Sequence, residues 1–242
     1  MSSSNDAAPE HVTCSISDDV ATITIDDGKA NALSHGVLAG IETTLDKALE
    51  GAAKAVIVQG RDGKFSAGFD LSVMTAGPAQ ARDLLGRGAE LGVRLYEFPV
   101  PVVFAVTGHA LAMGGILQCC ADVRIGAEGA YRIGLPEVRI GMPVPAFAVE
   151  LCRDRLSPRW FTRSVLLGEG LDPAQALDAG FFDEVVALDQ VRDRAREVAI
   201  DLAENVHRGP FQMTRSTVRG ALAQELRDAL ASDLAAFSVA DG

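Results

Sequence analysis

The chain has 242 residues, 48% of them hydrophobic and 23% charged, which is ordinary for a globular protein and enough for one large core. A net charge of -11 excludes the clustered Lys and Arg that nucleic-acid binding requires, and no apolar run reaches the ~18 residues of a bilayer span. Four cysteines (Cys14, Cys119, Cys120, Cys152) and four scattered histidines lack metal-ligand spacing, so buried reduced thiols and no metal site are expected. Residues 1–10 lack the basic start and apolar middle of a secretion signal, and read as the disordered tail of a cytoplasmic protein.

In chain order, strands at 12–16 and 20–25 flank Asp18-Asp19 and give an opening hairpin. Val37, Leu38, Ile41, Leu45 and Leu49 recur at helical spacing, and an apolar strand follows at 55–58. A second helix over 79–96 precedes Pro99 and Pro101, and a second strand covers 102–106. A helix from Met113 or Gly114 to about Cys120, then short strands at 122–125 and 131–133, complete an α/β core over residues 11–187. Residues 188–242 read as a helical region, after helices at 146–156, 158–167 and 173–179 and a brief strand at 184–187.

Each of the two apolar strands runs into a glycine-bearing segment: Phe65-Ser66-Ala67-Gly68-Phe69-Asp70-Leu71, and Gly108-His109-Ala110-Leu111-Ala112-Met113-Gly114-Gly115. Such segments let the backbone turn sharply and leave N–H groups bare, the parts of an oxyanion hole for charge developing on a carbonyl oxygen. At the ends of parallel strands they meet where α/β folds hold ligands. Among the acids, Glu137 stands in Ile133-Gly134-Leu135-Pro136-Glu137-Val138, among apolar residues and glycines. A carboxylate so placed has a raised pKa and can carry protons at neutral pH. The alternative is an ion pair with Arg132 or Arg139.

The order of these parts resembles the crotonase family, the enoyl-CoA hydratase/isomerase superfamily. The matching stretches are Lys29-Ala30-Asn31-Ala32-Leu33-Ser34, the two glycine segments, Asp122-Val123-Arg124-Ile125, residues 133–141 and residues 174–186. The resemblance implies a crotonase (ClpP-like) spiral of ββα units with a C-terminal helical trimerisation region, as a homotrimer or a dimer of trimers. It implies an acyl-CoA thioester as ligand, with coenzyme A arriving as part of the substrate and no separate cofactor. By the same resemblance the N–H of Ala67 and that of Met113 or Gly114 grip the thioester oxygen. Residues Lys29, Ala30 and the Phe65, Ser66, Ala67, Gly68, Phe69, Asp70, Leu71 run line the CoA entrance, and Lys29 meets phosphate.

Hydratases of the family use two glutamates around a water, and gap-free counting puts Ile116 at the first position and Glu137 at the second. Members that keep only the second glutamate are Δ3,Δ2-enoyl-CoA isomerases, so the expected activity is a shift of a 3-enoyl double bond with Glu137 as proton shuttle. A low-activity hydratase and a non-catalytic fatty acyl-CoA binding protein remain as alternatives. The second rests on Met113, a bulky residue beside the thioester position, and on Pro143 and Pro145, where the family has glycines.

Overall fold

The computed structural model describes residues 11–236. Strands β1 (Val12–Ser17) and β2 (Val20–Ile25) form an antiparallel hairpin. Asp18 and Asp19 both take positive φ, 52° and 59°, the turn whose twist matches a two-residue hairpin. After β3 (Ala32–Leu33), helix α1 (His35–Glu50) starts at Ser34, whose hydroxyl accepts the Val37 N–H. Next come β4 (Ala55–Gln59), β5 (Gly63–Ser66), β6 (Gly68–Phe69), α2 (Leu71–Met74) and α3 (Pro78–Tyr96). Strands β7 (Val102–Val106) and β8 (Gly108–Leu111) lead into α4 (Met113–Ile116), which a 3-10 turn continues over Leu117–Cys120.

Strands β9 (Val123–Ala127) and β10 (Ile133–Gly134) precede a 3-10 turn at Glu137–Ile140. Then follow α5 (Ala146–Arg155), α6 (Pro158–Phe161), α7 (Pro173–Ala179), β11 (Glu184–Val186), α8 (Val191–Asn205) and α9 (Arg208–Ala236). The helix expected over 158–167 is cut short, because the chain widens into a π turn at Thr162–Leu166. The expected tail, residues 1–10, lies outside the described residues.

The main sheet has six strands in the order β1-β2-β4-β7-β9-β11, parallel beyond the hairpin. A second sheet, β10-β8-β5, and the short pair β3-β6 stand apart from it, also parallel. Alternation along β4 divides the core. Val56 and Val58 face α1 and α3, while Ala55 and Ile57 face α8. There α8 presents Val191, Ala195, Ala199 and Ala203, a stripe of mostly alanine that lets helix and sheet approach closely. Helix α9 lies against α3 of its own chain through Ala223 and Leu226, and Arg215 and Arg219 reach the Asp122 carboxylate. Three of the four cysteines are buried as expected, whereas Cys14 on β1 is half-buried.

Candidate active site

The first glycine segment is held from below by Asn31, which is fully buried and has φ 53°. Its side-chain N–H groups donate to the carbonyls of Ile25 (2.8 Å), Lys64 and Phe65 (both 3.2 Å), and its own carbonyl accepts the Ser66 hydroxyl (2.8 Å). Asp27 folds the preceding loop by accepting the N–H groups of Lys29, Asn31 and Ala32. Burial alone would raise the Asp27 pKa, but these N–H bonds hold it below the usual carboxylate range. The loop of Lys29 and Ala30 is thereby fixed beside the segment it was expected to accompany.

That fixing removes one expected donor. The Ala67 N–H donates to the Ala30 carbonyl at 3.0 Å, so it is not free for an oxyanion. Along β6, the Asp70 N–H donates to the Leu33 carbonyl of β3 at 3.2 Å. In a parallel ladder alternate N–H groups face opposite sides, which turns the Phe69 N–H away from β3. On that side lies the second glycine segment. A Cβ on Gly68 would stand 2.7 Å from the Ala112 Cβ and 3.2 Å from the Met113 nitrogen, so only glycine allows the two segments to touch.

Ala112, with φ 50°, turns the chain into α4. The N–H groups of Gly115 and Ile116 both return to the Ala112 carbonyl, at 2.8 and 3.0 Å. Those of Met113 and Gly114 precede any intrahelical acceptor, as the first residues of a helix must. A single α turn and its 3-10 continuation replace the longer helix expected here, so the individual N–H groups matter more than a macrodipole. The Met113 side chain is fully buried and points into the core, its Cε beside Gly88 and Gly92 of α3. It therefore stays out of the space beside Ala112, contrary to the narrowing expected from its bulk.

That space is a cavity of about 140 Å³ lined by Ala67, Phe69, Ala112, Ile116 and Glu137 among others. Glu137, 6% exposed, is the one titratable side chain in its lining. Its Oε2 has no hydrogen-bond partner, and it forms no ion pair among the described residues. Arg139 instead donates to the Leu167 carbonyl at 2.8 Å, and Arg132 points to solvent. Loss of water raises the Glu137 pKa to about 7, against a smaller lowering by its own backbone N–H. Ile116, fully buried, occupies the wall position at which a second acid was expected to be missing.

The remaining expected residues divide. Asp70 caps α2 through the Ser72 N–H, and Leu71 is exposed at the cavity edge. Phe65 and Ser66 face inward, Phe65 onto Phe104 at 5.3 Å between ring centroids, so their side chains support the segment from within. Lys29 is exposed on its loop. A larger groove, about 700 Å³, runs between α3 and α9. Its charges include the pairs Arg94 with Asp46 and Arg227 with Glu97 and the solvent-exposed Glu90, and no buried unpartnered side chain lines it among the described residues. Asn31 and Gly88 carry more of the site's geometry than their sequence positions suggest; the first lay in a stretch that carries the family resemblance, with no role assigned to its side chain.

Comparison with known proteins gives the family of the chain that carries these two facing glycine segments and this desolvated glutamate. The family model described as enoyl-CoA hydratase/isomerase matches residues 15–240. This chain belongs to that family. Mitochondrial enoyl-CoA delta isomerase 1 of Mus musculus is 32% identical over 227 residues, covering 90% of this chain and 77% of the mouse protein. The probable enoyl-CoA hydratase of Bacillus subtilis (strain 168) is 34% identical over 195 residues, 76% of this chain and 73% of that one. A crystal structure of an enoyl-CoA hydratase/isomerase family protein from Pseudomonas syringae superposes with a TM-score of 0.92 at 38% identity, over 96% of this chain and all of the other. The fold of this hydratase/isomerase family member is thus the crotonase fold.

Proposed function

We propose that this enzyme moves the double bond of a 3-enoyl-CoA to the 2-position. The observation that carries the proposal is the single carboxylate of Glu137, its Oε2 without a partner, in an otherwise apolar cavity, with Ile116 where a water-activating acid would stand. The thioester oxygen accepts the N–H groups of Phe69 and Met113, with Gly114 next in line. Glu137 takes a proton from C2, and the electron pair spreads over the dienolate that the two N–H groups stabilise. The same carboxyl then returns the proton to C4, leaving the double bond between C2 and C3. A pKa of about 7 suits both halves of this shuttle, since base and acid forms are nearly equal in free energy at neutral pH. Apolar walls exclude the water that would otherwise compete.

The Lys29 loop would receive the nucleotide part of CoA, and a homotrimer or dimer of trimers is part of the proposal. Purified protein should convert 3-enoyl-CoA and leave 2-enoyl-CoA unhydrated, as followed by chromatography of the thioesters. Glu137→Gln should lower isomerisation by about 10²–10⁴-fold while acyl-CoA binding persists. Unchanged turnover in that variant would sink the assignment of the base, and brisk hydration of 2-enoyl-CoA would favour a hydratase.

A further inference from the structure

The cavity beside Glu137 has firm walls on three sides. At its inner end stand Leu85 of α3 and Ile116 of α4, 2% and 1% exposed and part of the main core. The Phe69 ring closes a second side, seated where α3 lacks a side chain: a Cβ on Gly88 would lie 2.3 Å from Phe69 Cζ. Mid-helix glycine is costly, and here its absent side chain is the room the ring occupies. The third side is the segment leading to α5, in which Pro143 and Pro145 both line the cavity. Their fixed φ angles remove the freedom by which that wall would otherwise yield. Leu71 and Ile140, 64% and 58% exposed, mark the mouth.

We infer that this site selects short acyl groups, of about four to six carbons, with Phe69 and the Pro143 and Pro145 wall as the length stop. The inference rests on the reading of this cavity as the acyl site. A dry apolar protein cavity of about 150 Å³ holds benzene, with six carbons, so a cavity of about 140 Å³ takes an acyl chain of similar size. The ring of Phe69 and the buried side chains of Leu85 and Ile116 stand at that depth.

The test is calorimetric binding of saturated acyl-CoA thioesters from butyryl to dodecanoyl to the unmodified protein. Each methylene that finds room should tighten binding about fourfold. The dissociation constant should fall from butyryl- to hexanoyl-CoA, then level or rise from octanoyl-CoA onward. Phe69→Ala and Leu85→Ala should each move that break by two or more carbons, with folding checked by circular dichroism. Steady tightening through dodecanoyl-CoA would overturn the inference and leave the acyl-CoA reading intact, as would a break that stays put in a folded variant of either kind. Failure of every thioester to bind would overturn the reading itself, and the length limit with it.

Discussion

Glu137 holds its carboxyl away from water with Oε2 unpartnered, and the free energy of that arrangement depends on pH. Its pKa rises from 4.5 to about 7 on folding, so the folded state binds the proton more tightly than the unfolded one. Stability from this group is then full below about pH 4.5 and is lost as pH rises through 7, an effect on the order of 3 kcal/mol. Glu137→Gln should therefore unfold at a higher temperature than the parent at pH 8, with the difference vanishing near pH 4, as read by thermal melts. An unchanged difference across that range would contradict the burial as the cause. Asn31→Ala strands three carbonyls that the amide now satisfies and puts alanine at φ 53°, so a loss of about 2–4 kcal/mol is expected in urea unfolding. The burial of Glu137 was suggested by the apolar residues around it in sequence, although Ala67, Phe69, Leu85 and Ile116, far along the chain, supply much of its surroundings and Val138 and Ile140 are exposed. The engagement of Ala67 was not legible, because its acceptor, Ala30, lies in a separate loop whose path is set by tertiary contacts.

At the scale of elements, α3 acts as the ruler of the site. Gly88 admits the Phe69 ring, and Gly88 and Gly92 together admit the Met113 side chain, so the residues bearing both proposed oxyanion donors are anchored to one helix. Gly88→Ala would favour an isolated helix by about 1 kcal/mol. Here it should instead destabilise the protein and lower kcat with 3-enoyl-CoA, because the Cβ meets the ring; a gain in stability with kcat retained would refute this anchoring. The helices with regular apolar spacing, α1, α3, α5 and α8, were readable to within a residue or two of their ends. Strands β3, β5, β6 and β8 were not readable as strands, since each is defined by a partner far along the chain, and β10, expected at 131–133, begins only at Ile133. The π turn at Thr162–Leu166 likewise leaves no mark in a helical period.

For the molecule as a whole, the last two helices belong to the body of the chain. Helix α8 seals one face of the main sheet, and α9 is tied down where Asp122 accepts from Arg215, Arg219 and the Val102 N–H. Sequence alone left open whether these helices pack on their own subunit, because an apolar stripe does not name its partner. Asp122→Ala should cost about 3–5 kcal/mol in chemical denaturation, since it leaves the buried Arg215 without its carboxylate. Hydrogen exchange should then rise first along α9, and uniform loosening of the whole chain would argue against this anchor.

The proposed donors at Phe69 and Met113 are peptide N–H groups, and no codon change deletes a peptide N–H short of proline. A side-chain scan of the cavity would single out Glu137 and pass over the other half of the apparatus in silence. The residues at these two positions can thus differ in identity while the donors stay in place, the Phe69 ring answering to the length of the acyl chain and the Met113 side chain to packing. Replacing either amide by a backbone ester, which keeps the side chain and removes one hydrogen, is the substitution that addresses the chemistry itself.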